Sequence, residues 1–168
     1  DTNGNGFLDK AAPDLDRYVL IFGERRGGNR YYAIDVTDRS APTFLWNIVG
    51  GTGDFHQLGQ SWSKPIATKV KINNVEKDVL VFGGGYDTLQ DQADNPRTGD
   101  TLGRAVYMVD ALTGQLLWWA GKAGVVGSGT TPVSPTLSSV CAVSTGAKNC
   151  STNAMNFSIP ADLRVIDI

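Results

Sequence analysis

Tyr18-Val19-Leu20-Ile21-Phe22-Gly23 is answered later in the chain by Asp78-Val79-Leu80-Val81-Phe82-Gly83. Each is a short run of β-branched and aromatic residues closed by glycine, which is how a buried strand ending in a turn is written. A Gly-rich loop follows each run. The next stretch also repeats: Tyr31-Tyr32-Ala33-Ile34-Asp35 corresponds to Val106-Tyr107-Met108-Val109-Asp110, and each aspartate leads through a turn to Leu-Trp, at Leu45-Trp46 and Leu117-Trp118. Arg164-Val165-Ile166-Asp167 reads as the start of a third copy.

Working outward, the spacing predicts short strands at residues 18–22, 31–36, 44–49, 66–72, 78–82, 105–110, 115–119 and 163–168, with turn residues between them. Asn73-Asn74 and Thr113-Gly114 read as hairpin turns. Twenty glycines and few helix-period runs point to an all-β chain. A repeated strand, loop, strand-Asp, turn, Leu-Trp unit is the pattern of a propeller blade. The expected fold is therefore a partial β-propeller: about two four-stranded blades, the start of a third, and an inserted cysteine loop. The divisions are 1–16 as a metal-type loop, 17–77 and 78–121 as blade regions, 122–156 as the insertion and 157–168 as the next blade's start. Trp46 and Trp118 are expected to fill the space between blades. Asp35 and Asp110 are expected to cap the turns that follow them rather than to form a catalytic pair.

The chain opens Asp1-Thr2-Asn3-Gly4-Asn5-Gly6-Phe7-Leu8-Asp9. Side-chain oxygens at Asp1, Asn3, Asn5 and Asp9, with Gly6 for the sharp turn, follow the ligand order of a Ca²⁺ loop. The carbonyl of Phe7 supplies a further oxygen. Ala12 stands where an EF-hand has its bidentate Glu, so the loop reads as the shorter kind closed by Asp9, with Asp14 and Asp16 downstream as alternative ligands and a solvated Asx/Gly turn as the plain alternative. Cys141 and Cys150, the two cysteines, share a Ser/Thr/Gly-rich loop, which suggests a local disulfide and an oxidising compartment.

Net charge is −2, which leaves no electrostatic footprint for nucleic acid. No apolar run reaches the roughly 18 residues of a membrane-spanning helix. His56 is the single histidine and lacks a nucleophile partner. Gly83-Gly84-Gly85 is not followed by Lys-Ser/Thr, so it is a close-approach loop rather than a phosphate loop. Arg25, Arg26 and Arg30 form a basic group, read first as a solvated loop tip or a salt bridge to a neighbouring blade, with carboxylate or phosphate binding as the sharper alternative. Asp87, Asp91, Asp94 and Asp100 make an acidic loop, read as a mobile loop in preference to a second cation site because the spacing matches no standard Ca²⁺ loop. An acidic start without Met suggests part of a longer polypeptide.

Four stretches carry a family likeness: residues 23–37 (Gly-Glu-Arg-Arg-Gly-Gly-Asn-Arg-Tyr-Tyr-Ala-Ile-Asp-Val-Thr), Leu58-Gly59-Gln60-Ser61-Trp62-Ser63-Lys64-Pro65, Val81-Phe82-Gly83-Gly84-Gly85-Tyr86-Asp87, and residues 157–167. In that order they resemble the PilC/PilY family of type IV pilus tip-associated proteins, and the likeness lapses over 121–156. The resemblance implies a C-terminal, calcium-loaded, non-enzymatic β-propeller that supports pilus biogenesis and retraction, twitching motility and adhesion. It implies minor pilins or other tip subunits as partners, with host or surface ligands and the rest of the same polypeptide. It also implies a bacterial cell-surface location at the pilus tip, reached through the periplasm and outer membrane. Arg97-Thr98-Gly99-Asp100 has one residue too many for an integrin-type triplet. The repeat also resembles quinone-dependent dehydrogenase propellers, but Cys141 and Cys150 are not adjacent as the cysteines of those enzymes are. A scaffold propeller of an envelope assembly machine is the remaining alternative.

Overall fold

The computed structural model describes residues 10–11, 14–92, 99–122, 149–152 and 155–166. The first strands, β1 (Lys10–Ala11) and β2 (Asp14–Leu15), form a small antiparallel pair. Next come β3 (Val19–Gly23), β4 (Arg30–Asp35) and β5 (Thr43–Val49), an antiparallel meander of three strands. The second sheet contains β6 (Ile66–Ile72), β7 (Val75–Gly83), β8 (Ala105–Asp110), β9 (Leu116–Lys122) and β10 (Asn149–Thr152), in the order β10-β9-β8-β7-β6. β10 runs parallel to β9, and the other neighbours are antiparallel. Among the described residues there is no α-helix; single 3₁₀ turns occur at Arg25–Gly27, Gly53–Phe55 and Thr88–Asp91. The chain is all-β, as its composition implies.

Local chemistry accounts for the hairpins. Asn73 (φ 52°) and Asn74 (φ 62°) supply two successive left-handed residues, the geometry whose twist matches a two-residue hairpin. Beside it, Lys69 lies 3.2 Å from Glu76 and 3.4 Å from Asp78 across the β6–β7 ladder, an exposed pairing that sets register more than it stabilises. In β8, five of six residues are apolar and burial is nearly continuous, as a central strand covered on both faces requires.

The repeat seen in sequence is also a repeat of hydrogen bonding. Phe22 pairs with Tyr32 as Phe82 pairs with Tyr107. Ala33 pairs with Trp46 as Met108 pairs with Trp118, and a β-bulge follows both Ala33 and Met108. Ser61 N–H donates to the Gly28 carbonyl at 3.1 Å, and Ile159 N–H donates to the Gly103 carbonyl at 2.9 Å. Each turn aspartate acts as expected. Asp35 Oδ1 accepts from Thr37 N–H at 2.9 Å, and Asp110 Oδ1 accepts from Leu112 N–H at 3.1 Å and Thr113 N–H at 3.0 Å.

The core lies between the sheets. Tyr31, Ala33, Trp46 and Ile48 from the first sheet meet Leu80, Phe82, Tyr107, Val109, Leu116 and Trp119 from the second. The Tyr31 and Phe82 ring centroids are 4.6 Å apart. Trp46 bridges the sheets as anticipated: its indole Nε1–H donates to the Ala111 carbonyl at 3.1 Å.

Several details differ from expectation. Residues 66–72 pair with β7, so hydrogen bonding divides the sheets between Val49 and Ile66 rather than at 77/78. The first sheet accordingly has three described strands rather than four. Residues 163–166 form no strand, because they find no ladder partner among the described residues. By the Ser61/Ile159 correspondence, those residues match the entry into β6, not the Asp-bearing strand β8. Trp118 holds the register position of Trp46 and lies half-buried on the far face of the second sheet, while Trp119, the next residue and so on the opposite face beside Tyr107, enters this core.

Gly114 (φ 69°) completes the turn on which Trp46 rests, and a Cβ there would stand 2.7 Å from Trp46 Cδ2. Gly114→Ala combines left-handed strain with overpacking and is expected to cost about 2–4 kcal/mol. Equilibrium denaturation measures this, and a change under about 0.5 kcal/mol would contradict the packing described.

Candidate functional site

At one end of both sheets, the turn after β3, the segment before β6, the loop after β7 and the stretch around Ile159 come together. Ser61 and Ser63, both buried, organise this end. Ser61 Oγ accepts from Glu24 N–H at 2.7 Å and from Arg25 N–H at 3.3 Å. Ser63 Oγ accepts from Gly83 N–H at 2.9 Å, while Tyr31 Oη–H donates to the Ser63 carbonyl at 2.6 Å. Burial first, and the nearby Asp162 carboxylate second, push the Tyr31 hydroxyl well above its ordinary range, so it stays a donor. Lys64 N–H donates to Asp162 Oδ1 at 2.7 Å. Gly85 (φ 86°) lets the loop backbone pair with Ile159 on one side and close against the Gln60 carbonyl on the other.

The three arginines do not cluster. Arg26 approaches Asp91 at 3.8 Å, Arg30 opens β4 and is exposed, and the Arg25 guanidinium carbon lies 5.8 Å from the Trp62 ring centroid. Arg25 has φ 53°, a left-handed backbone that costs a non-glycine residue about 1–2 kcal/mol. The two N–H bonds to Ser61 hold it there. Arg25, Trp62 and Lys64, together with Phe22 and Pro65, line a cleft of about 200 Å³.

The aspartates after β7 have a different role from cation binding. Asp87, 1% exposed, accepts at Oδ1 from Leu89 N–H (2.9 Å) and at Oδ2 from Thr101 N–H (2.6 Å), Thr101 Oγ1–H (3.0 Å) and Leu102 N–H (3.0 Å). Asp100 Oδ2 accepts from Ser158 N–H at 2.7 Å and Gln90 Nε2 at 2.5 Å. These bonds close the loop across its ends and tie it to Ser158. Burial works against both charges, but the donors outweigh it and hold both carboxyls below the usual range. Among the described residues, no three acidic, His or Cys side chains gather as a metal site. Asp94, the calcium-type ligands Asp1, Asn3, Asn5, Phe7 and Asp9, and Cys141 lie outside the described residues; Cys150 is described only as backbone in β10. His56 packs edge-on against Trp119 with centroids 5.3 Å apart. The roles of Ser61, Ser63 and Trp62 were not read from sequence. Their signal was the word Gln60-Ser61-Trp62-Ser63-Lys64-Pro65, in which no residue type by itself announces loop organisation.

Because Asp87 and Asp100 carry lowered pKa values, their stabilisation is complete above about pH 4 and is lost as pH falls through the lower folded values. Thermal melts between pH 7 and pH 2 are expected to show this acid limb, with Asp87→Asn destabilised by about 2–3 kcal/mol at pH 7 and flatter below pH 4. An Asp87→Asn melting curve parallel to wild type across that range would refute the clamp.

No protein-family model matches the chain. It is 34% identical over 110 residues to the type IV pilus biogenesis factor PilY1 of Pseudomonas aeruginosa, in strains PAO1 and PAK alike. The match covers 64% of this chain and 8% of the relatives, so the chain spans a small part of their length. The crystal structure of the P. aeruginosa PilY1 C-terminal domain superposes with a TM-score of 0.48 and 25% identity, covering 69% of this chain and 21% of that one. The sequence words read at the outset and the curated relatives agree: over the matched residues this chain is similar to proteins of the PilC/PilY family.

Proposed function

We propose that the two sheets are successive blades of a calcium-binding β-propeller, and that the propeller is a non-enzymatic part of a type IV pilus-associated surface protein. The direction of packing carries the propeller reading. The first sheet presents Ala33, Trp46 and Ile48, and the second receives them on Leu80, Phe82, Tyr107 and Val109. By register, the receiving set corresponds to Leu20, Phe22, Tyr32 and Ile34 of the first sheet, and the presenting set to Met108, Trp118 and Ala120 of the second. Each sheet thus has one face of each kind. Contacts of this head-to-tail sort close into rings when the rotation per unit allows, and twisted four-stranded sheets stacked radially are the propeller solution.

Both outer faces fit that arrangement. Leu20, Phe22 and Phe44 are 52%, 41% and 62% exposed, an apolar face suited to a preceding blade. Trp118 Nε1 is buried and finds no acceptor among the described residues, whereas Trp46 Nε1, its register equivalent, bonds a turn carbonyl of the next sheet. In the intact ring, Trp118 Nε1 bonds the corresponding turn of a following blade.

The pilus assignment is supported by the relatives, which are named for type IV pilus biogenesis. The propeller acts at the cell surface and pilus tip, after export through the periplasm and outer membrane. It contacts minor pilins or other tip subunits, and host or surface ligands, and so supports retraction, twitching motility and adhesion. Among the described residues, no helix is long and apolar enough to cross a membrane. The repeat's carboxylates, Asp35 and Asp110, are engaged by backbone N–H groups, consistent with structural rather than catalytic duty. Asp1, Asn3, Asn5 and Asp9, with the Phe7 carbonyl, form the Ca²⁺ site; their all-oxygen chemistry suits that hard ion. Bound Ca²⁺ stiffens this loop, and its loss leaves like charges to repel, so calcium shifts a contact surface between ordered and loose states.

Calorimetry on the intact protein is expected to show Ca²⁺ binding that Asp9→Ala weakens about tenfold or more, with a parallel loss of twitching in cells carrying the variant. No heat and no melting shift up to millimolar calcium would sink the metal site. Trp118→Phe tests the ring: loss of a bonded indole costs about 1 kcal/mol, as for Trp46→Phe, whereas removing an orphaned donor is neutral or stabilising.

A further inference from the structure

The cleft between Arg25 and Lys64 contains two cations, and no ion pair to either is found among the described residues. Arg25 is there at the expense of backbone strain, its φ of 53° held by Ser61 Oγ and its guanidinium braced on Trp62. Strain retained by surrounding structure is the mark of a residue fixed for a task beyond folding. We infer that this cleft binds a carboxylate, and that the ligand is an acidic residue of a partner polypeptide flanked by apolar residues. The guanidinium offers the planar fork that a carboxylate matches, and a brace against an aromatic ring reduces the ordering entropy of binding. Lys64 adds a second point charge, and Trp62 and Pro65 give the cleft an apolar wall for the acidic residue's neighbours. Neither cation is a core residue.

The probe is a blocked pentapeptide with one glutamate among apolar residues, titrated onto the intact protein beside its glutamine counterpart, galacturonate and inorganic phosphate. The glutamate peptide is expected to bind at least about tenfold more tightly than the other three, and Arg25→Gly and Lys64→Gln each to weaken it about tenfold. Arg25→Gly separates binding from folding, because glycine relieves the left-handed strain. Its melting temperature is expected to equal or exceed that of wild type while the peptide affinity falls. Equal affinities for the two peptides overturn the inference, as does tighter binding of galacturonate or phosphate. A lowered melting temperature for Arg25→Gly also overturns it, since Arg25 would then be a structural brace.

Discussion

Trp46 resting on the Asp110 turn is the contact from which the rest of the arrangement follows. The ring belongs to one sheet and the turn to the other, so the contact sets the distance and direction between them. Its geometry is fixed at three points. The bulge after Ala33 fixes the pairing of Trp46, the Asp110 carboxylate draws Leu112 and Thr113 N–H inward, and Gly114 leaves room for the indole. An aromatic of this size excludes water from the junction and still needs an acceptor for its N–H. The Ala111 carbonyl is available because the turn carries it outside the β-ladder. The aspartate therefore contributes to stability at one remove: it shapes the socket for a side chain that it does not touch.

Much of this was legible in the sequence because the repeat has period-two strands and punctuating turns. Val-Leu-Ile-Phe-Gly and Val-Leu-Val-Phe-Gly sit in equivalent registers, and Asn73-Asn74 makes the hairpin that its composition demands. What was not legible is where one unit stops. Residues 66–72 have the alternation of any half-buried strand, and alternation does not name a partner. The loop bonds of Ser61 to Gly28 and of Ile159 to Gly103 decide it, and those join residues that local pattern does not connect. The Trp118/Trp119 exchange has a similar cause. Two adjacent tryptophans in a strand face opposite ways, and which one meets the first sheet depends on the face that the sheet packs against, which composition does not name.

The loop end of the sheets was less legible. Asp87, Asp91, Asp94 and Asp100 read as an acidic loop, but Asp87 and Asp100 are nearly inaccessible and fully committed to backbone and side-chain donors. Buried carboxylates of this kind look like ligand clusters in sequence, because both uses need several oxygens close together. Only the direction of the donors distinguishes them. The basic word Arg25-Arg26 is divided in space: its two side chains diverge, one to Trp62 and one to an ion pair with Asp91, and Arg25 has a left-handed backbone.

A division of labour between strand and loop emerges from these particulars. The register-equivalent parts of the two sheets are occupied with packing. The differences between repeats collect at the loop end, where the short turn after β3 carries Arg25 and the long loop after β7 is closed by Asp87. Loops anchored to rigid strand ends can hold side chains in costly conformations that a free loop would relax. Ser61 illustrates the mechanism: it is buried, it comes from the segment leading into the second sheet, and it fixes the backbone of a residue attached to the first. Any change that lets the sheets slide would release Arg25 from its strained backbone before it disturbed either ladder. The position of that side chain thus depends, through Ser61, on how the segment entering the second sheet sits against the first.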